Sequence, residues 1–116
     1  MKTVISFFTL ILLAVNVNAY VDCSGKVTSL GYDANWANPT LIISLEGGPS
    51  HVRICGLTED YNGVNKDVCK IIHSELLAAK LADRTVSFRF IDYPNNTNCS
   101  TIPSWQASKI GWHTFN

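Results

Sequence analysis

The sequence predicts a small, mainly β domain carrying one helix, and three observations predict it. Short runs rich in Val, Ile, Thr and Phe recur along the chain, separated by clusters of Gly, Pro, Asn and Asp. One segment, residues 65–82, instead repeats its apolar residues every three or four positions. Four cysteines, Cys23, Cys55, Cys69 and Cys99, lie in a short chain, and an even cysteine count in such a chain marks a disulfide framework when the protein is exported.

Residues 1–19 read as a secretory signal peptide. Lys2 supplies the positive start, Val4 to Val15 the apolar centre, and Val17-Asn18-Ala19 a small-residue cleavage site. Removing 19 residues from 116 leaves 97, a single domain over residues 20–116 near the lower end of sizes that fold on burial alone. No later segment approaches the ~20 apolar residues of a membrane span, so a secreted or periplasmic location without membrane insertion is expected. Loss of Lys2 leaves eight basic residues against nine acidic ones. That balance argues against a nucleic-acid or polybasic membrane binder.

Each element follows from local chemistry. "GKVTSLGY" (25–32) is rich in strand formers, and "DANWANP" (33–39) is a loop of turn residues. "TLIISLE" (40–46) and "HVRICGL" (51–57) flank "GGPS" and make a hairpin, with Leu41, Ile43 and Leu45 on one face and Val52 and Ile54 on the matching face of the partner. Asn65 is a good N-cap and Asp67 suits the first turn of a helix starting near Lys66. Val68, Ile72 and Leu76 recur every four residues, and Cys69, Ile72, Leu76 and Ala79 mark one helical face through about Ala82. "RTVSFRFID" then alternates as a strand, residues 93–108 form a long loop, and "KIGWHTF" (109–115) is a last strand with Ile110 and Trp112 on one side, Trp112 expected to be buried.

The order strand, strand, strand, helix, strand, strand is that of the OB-fold, a five-stranded barrel with one helix between its third and fourth strands. In that fold the helix covers apolar side chains at an open barrel end. A β-sandwich and a cystatin-like sheet on a helix are the rivals, the latter normally beginning with its helix. Strands one and four of an OB-fold run antiparallel, which brings Cys23 near Cys99, while Cys55 ends strand three just before the helix that carries Cys69. The expected bridges are therefore Cys23–Cys99 and Cys55–Cys69. A zinc site is disfavoured because no C-x₂₋₄-C or H-x₃₋₅-H spacing occurs, and no cofactor motif is present.

A leader, a strand ending in cysteine, the run "VCKIIHSELLAAKLADRTVSF" and the loop "CSTIPSW" together resemble the OB-fold B subunits of bacterial AB5 toxins, in the subtilase-cytotoxin and pertussis-like group, and small exported bacterial proteins of similar layout. The resemblance implies pentameric rings that bind glycans; the element order and the loop aromatics point to a non-enzymatic exported binding module for a glycan or a protein surface. No sugar-binding residue of that family is carried over.

Aromatic rings stack on the apolar faces of sugars, which makes Trp36, Tyr61, Tyr93 and Trp105, all in loops, the candidate ligand contacts. Trp105, after Ile102 and Pro103, reads more readily as a plug at the core edge; Trp36 reads equally as either. The small residues Ser74, Ala78 and Ala82 form a stripe along the helix that would suit a homo-oligomer contact or close packing of the helix on its own barrel. Ile71 lies to the same side. A different class of function, a small secreted hydrolase or ribonuclease, would draw on His51 or His113, with His73 on the helix. No nucleophile or metalloprotease motif supports it. Asn95 and Asn98 begin glycosylation sequons relevant only to a eukaryotic secretory route.

Overall fold

The computed structural model describes residues 19–115, so most of the expected leader lies outside the described residues. Five strands and one helix follow in the order β1 (Tyr20–Tyr32), β2 (Thr40–Leu45), β3 (Val52–Gly56), α1 (Lys66–Leu81), β4 (Thr85–Ile91) and β5 (Ile110–Phe115), with a 3-10 turn over Cys99–Thr101 before the last strand. All strands join one antiparallel sheet in the order β3-β2-β1-β4-β5. The sheet is not closed.

β1 begins five residues earlier than its strand-forming composition indicated, and Cys23 lies inside it rather than before it. Its first half pairs with β4, from Tyr20 opposite Ile91 to Lys26 opposite Thr85. Its second half pairs with β2, from Val27 opposite Leu45 to Tyr32 opposite Leu41. The handover falls at Gly25, where an added Cβ would stand 2.4 Å from the Glu46 carbonyl oxygen. Only a residue without a side chain permits that approach, and the Glu46 N–H then donates to the Lys26 carbonyl at 2.9 Å.

Val21, Cys23, Val27, Leu41, Ile43, Leu45, Val52, Ile54, Val86, Phe88 and Phe90 project from the sheet into one core, which Cys69, Ile72, Leu76 and Ala79 of α1 complete. α1 starts where Asn65 accepts a hydrogen bond from the Asp67 N–H at 2.8 Å, and the Lys66 N–H finds Asp60 at 2.9 Å. Two donors that the first turn leaves without helical partners are thus satisfied. Val68 belongs to the apolar repeat yet lies exposed, as do Ile71, Leu77 and Leu81. The core face is therefore narrower than the sequence repeat suggested.

Both expected disulfides are present, Cys23–Cys99 with Cα atoms 5.8 Å apart and Cys55–Cys69 with Cα atoms 5.7 Å apart. The first ties β1 to the 3-10 turn and the second ties β3 to α1. Among the described residues no helix is long and apolar enough to cross a membrane. Two bridges of this kind persist in oxidising compartments.

The free edge of β3 is covered by the chain segment that leads into β5. The Trp105 N–H donates to the His51 carbonyl at 2.7 Å, the Arg53 N–H to the Gln106 carbonyl at 3.1 Å, and the Ser108 N–H to the Arg53 carbonyl at 3.2 Å. Arg53 and Ala107 form a parallel bridge there. The Asn62 side chain pins the same junction by donating to the carbonyls of Ile54 and Ser108 at 2.9 and 2.7 Å. Covering an edge in this way removes a template for unwanted strand pairing.

Candidate functional site

β2 is buried on both faces, against the simple alternation of an exposed and a buried side. Thr40, Ile42 and Ser44 lie opposite the core-facing Leu41, Ile43 and Leu45, and the register places Ile42 beside Arg53 of β3. Arg53 is only 7% exposed. Burial of a guanidinium is tolerated when its charge is paired and its donors are used, and here both conditions hold. Nη1 donates to the Asp33 carboxylate and to Thr40 Oγ1 at 2.7 Å, while Nε donates to the Trp105 carbonyl at 3.1 Å. Thr40 Oγ1 in turn donates to Asp33 at 2.9 Å.

Arg53 thereby fastens two loops that are distant in sequence. Asp33 opens the β1–β2 loop (33–39) and Trp105 belongs to the β4–β5 connection. The base of the first loop is fixed independently: Asn38 Oδ1 accepts from the Thr58 N–H and hydroxyl at 3.3 and 3.0 Å, and from the Glu59 N–H at 3.1 Å. Gly56 allows this approach, because a Cβ there would stand 2.6 Å from the Asn38 amide nitrogen and 2.3 Å from the Glu59 carbonyl oxygen.

The two loops present the exposed indoles of Trp36 and Trp105. Trp36 is 48% exposed, and its ring lies 3.8 Å from the Arg53 guanidinium carbon. Trp105 is 57% exposed, and its ring stacks on His51 with centroids 4.7 Å apart and planes 17° from parallel. Each ring thus has one partner of its own and an open portion facing water. The expectation that Trp105 plugs the core edge does not hold; Ile102, 3% exposed, fills that place. His51 and Trp105 both adopt positive φ, 51° and 63°. Among the described residues the other non-glycine cases are Asn62, Asp83 and Asp92, and Asn, Asp and His are the types that tolerate it. Trp105 is the one bulky residue among them, held there by its bond to the His51 carbonyl and its stack on the His51 ring, and backbone strain of this kind gathers at binding sites.

The remaining sequence candidates lie apart from this pair. Tyr93 is half-buried, packs against the core and shares a 2.7 Å hydrogen bond between its hydroxyl and Ser108 Oγ. Tyr61 is half-buried in the turn before α1, bridged to Val64. Ser74, Ala78 and Ala82 are all exposed, and Ala78 and Ala82 line an open hollow of about 300 Å³ with Glu75, Ala79 and Arg84. His51 shares a 2.9 Å hydrogen bond through Nδ1 with Ser50, and His73 is half-buried on α1. The backbone register pairs His113 with Phe88 and Trp112 with Arg89, with a shift between Arg89 and Phe90. The side chains of Trp112 and His113 lie outside the described residues, so the expected burial of Trp112 does too.

Elsewhere on the sheet, Arg89 donates to Asp22 at 2.8 and 3.1 Å and lies 4.0 Å from the Tyr20 ring. The hydrogen bond from Arg89 holds the Asp22 carboxyl below the ordinary carboxylate range. Among the described residues no group of three His, Cys, Asp or Glu side chains is gathered where it could hold a metal ion. Sequence reasoning missed Arg53, Asp33 and Thr40. The one signal available was an arginine at an outward strand position between apolar neighbours, which by itself reads as a solvated side chain.

Comparison with protein-family models, with curated proteins and with solved structures finds no match to this chain.

Proposed function

We propose that this chain is an exported, non-enzymatic binding module with an OB-type barrel, and that Trp36 and Trp105 are its saccharide contacts. One observation carries the reading: two half-exposed indoles from loops far apart in sequence are fastened to one buried arginine, Trp36 through its ring and Trp105 through its carbonyl. A rigid aromatic surface loses little conformational entropy on binding and stacks on the apolar face of a sugar ring. The site occupies the outer face of β2 and β3 beside the β1–β2 and β4–β5 loops, and that is the surface on which OB-folds bind oligosaccharides. The parallel run from Trp105 to Ser108 along β3 supports barrel closure, because it carries the chain from β3 to the start of β5.

The similarity to ring-forming toxin B subunits belongs to the same proposal. On this reading Ser74, Ala78 and Ala82, exposed beside Ile71, form a contact between copies. A glycan array together with a tryptophan-fluorescence titration tests the saccharide reading. Binding on the array, quenching by the same sugars, and loss of both in Trp36→Ala and Trp105→Ala are the expected results. Silence across a broad array replaces the saccharide with a protein surface as ligand.

A further inference from the structure

We infer that the Trp36–Trp105 site selects uncharged sugars and that Asp33 sets this selectivity. The inference rests on the saccharide reading and names its ligand class. Arg53 is the cation against the Trp36 ring and on the Trp105 carbonyl, and its charge is already answered: Nη1 is bound to Asp33, and the two side chains are 9% and 20% exposed. Such a covered pair offers an incoming carboxylate no unmatched positive charge.

The segments bordering the rings add no further lysine or arginine. Residues 33–39 contribute Asp33, residues 46–51 contribute Glu46 and His51, and residues 102–108 contribute no charged residue. Glu59, whose N–H is held by Asn38, brings another carboxylate to the base of the first loop. Lys26 of β1 stands near Glu46 and offsets part of its charge, but Asp33, Glu46 and Glu59 still outnumber Arg53 and Lys26, and like-charge juxtaposition disfavours acidic ligands. What the loops do supply around the indoles is neutral and polar: Asn35, Ser50, Ser104 and Gln106, all exposed. Amide and hydroxyl groups of this kind match sugar hydroxyls.

Asp33 is a specificity residue in this account because it also accepts from Thr40, so the pair is locked within the β2–β3 face and not loosely associated. Replacing Asp33 by Asn keeps the shape and removes the negative charge. The Arg53 guanidinium, still between the two loops, then has an unanswered charge that an acidic sugar can meet.

The test is tryptophan-fluorescence titration at pH 8, above the ordinary histidine range, with matched neutral and acidic probes: trigalacturonate against its methyl ester, and sialyl-lactose against lactose. The unmodified protein is expected to prefer the neutral member of a pair by at least about tenfold, with little change on raising salt. Asp33→Asn is expected to narrow or reverse that ratio. Equal or tighter binding of the acidic member by the unmodified protein overturns the inference and leaves the saccharide reading standing. Silence toward every pair removes the saccharide reading itself. If Asp33→Asn does not fold, the ratio and its salt dependence in the unmodified protein still decide the matter.

Discussion

Replacing Arg53 by Met should be the most damaging single change outside the hydrophobic core. Methionine keeps much of the side chain's apolar volume but removes the hydrogen bonds to Asp33, Thr40 and the Trp105 carbonyl. It also strands an Asp33 side chain that is only 20% exposed. Breaking a largely buried pair by deleting one partner costs about 3–5 kcal/mol, because the survivor keeps its desolvation penalty without its counter-charge. Against a total of about 5–15 kcal/mol for a small domain, that is a large fraction. At about 4–8 °C per kcal/mol for a chain of this size, the midpoint should fall by more than about 10 °C. Thermal and urea unfolding followed by far-ultraviolet circular dichroism, with disulfides intact, measure the midpoint and the free energy respectively. The double variant Asp33→Leu/Arg53→Met should recover much of the loss, since it leaves no orphaned charge. An Arg53→Met loss below about 1 kcal/mol, or a double variant as unstable as the sum of its parts, would refute the assignment of Arg53 as the clamp between the two loops.

Replacing the Cys23–Cys99 pair by alanines should cost more than replacing Cys55–Cys69: sequence separations of 76 and 14 correspond to about 4.5 and about 3 kcal/mol in the chain-entropy picture. Urea midpoints of the two double variants check the order. Because the hydrogen bond from Arg89 lowers the Asp22 pKa in the folded state, its stabilisation is present above the ordinary aspartate range and is lost as pH falls below it. Asp22→Asn should therefore flatten the stability profile between about pH 5 and 2, measured as melting temperature against pH. Ala78→Glu should convert the expected oligomer to a monomer without loss of circular dichroism, since a charge there is desolvated only in the assembly. Light scattering reads it, and an unmodified chain that is monomeric at high micromolar concentration defeats the ring.

The element order and both disulfides were legible because their signals are local or topological. Asn65 and Asp67 announce the helix within three residues, and the alternation of Val86, Phe88 and Phe90 announces β4. The start of β1 was missed although Val21 and Cys23 alternate with Asp22 and Ser24 in the same rhythm; a cysteine is easily read as punctuation when it is also a core residue. The site was half legible. Trp36 and Trp105 could be picked as loop aromatics, but the contact that unites them runs through residues 20 and 52 positions apart, Asp33 to Arg53 and Arg53 to Trp105. No periodicity encodes such a meeting. Burial of both faces of β2 was hidden for the same reason, since it depends on what distant loops lay across the strand.

One bridge is nested inside the other, Cys55–Cys69 within the loop closed by Cys23–Cys99, and this shapes how the chain matures. A polypeptide delivered N-terminus first presents Cys23, then Cys55, then Cys69 and only at the end Cys99. Oxidation in order of arrival joins the first two, a pairing absent from the finished molecule. Cys55 acquires its true partner 14 residues later, but Cys23 must wait for a partner 76 residues downstream. Its strand meanwhile has β2 for one half and nothing for the other until β4 arrives. Efficient production of this protein should therefore depend on thiol–disulfide exchange that unmakes early mistakes, and yield under strongly oxidising conditions without an isomerase should be poor even though the folded chain, once closed, has no free thiol among the described residues left to reshuffle.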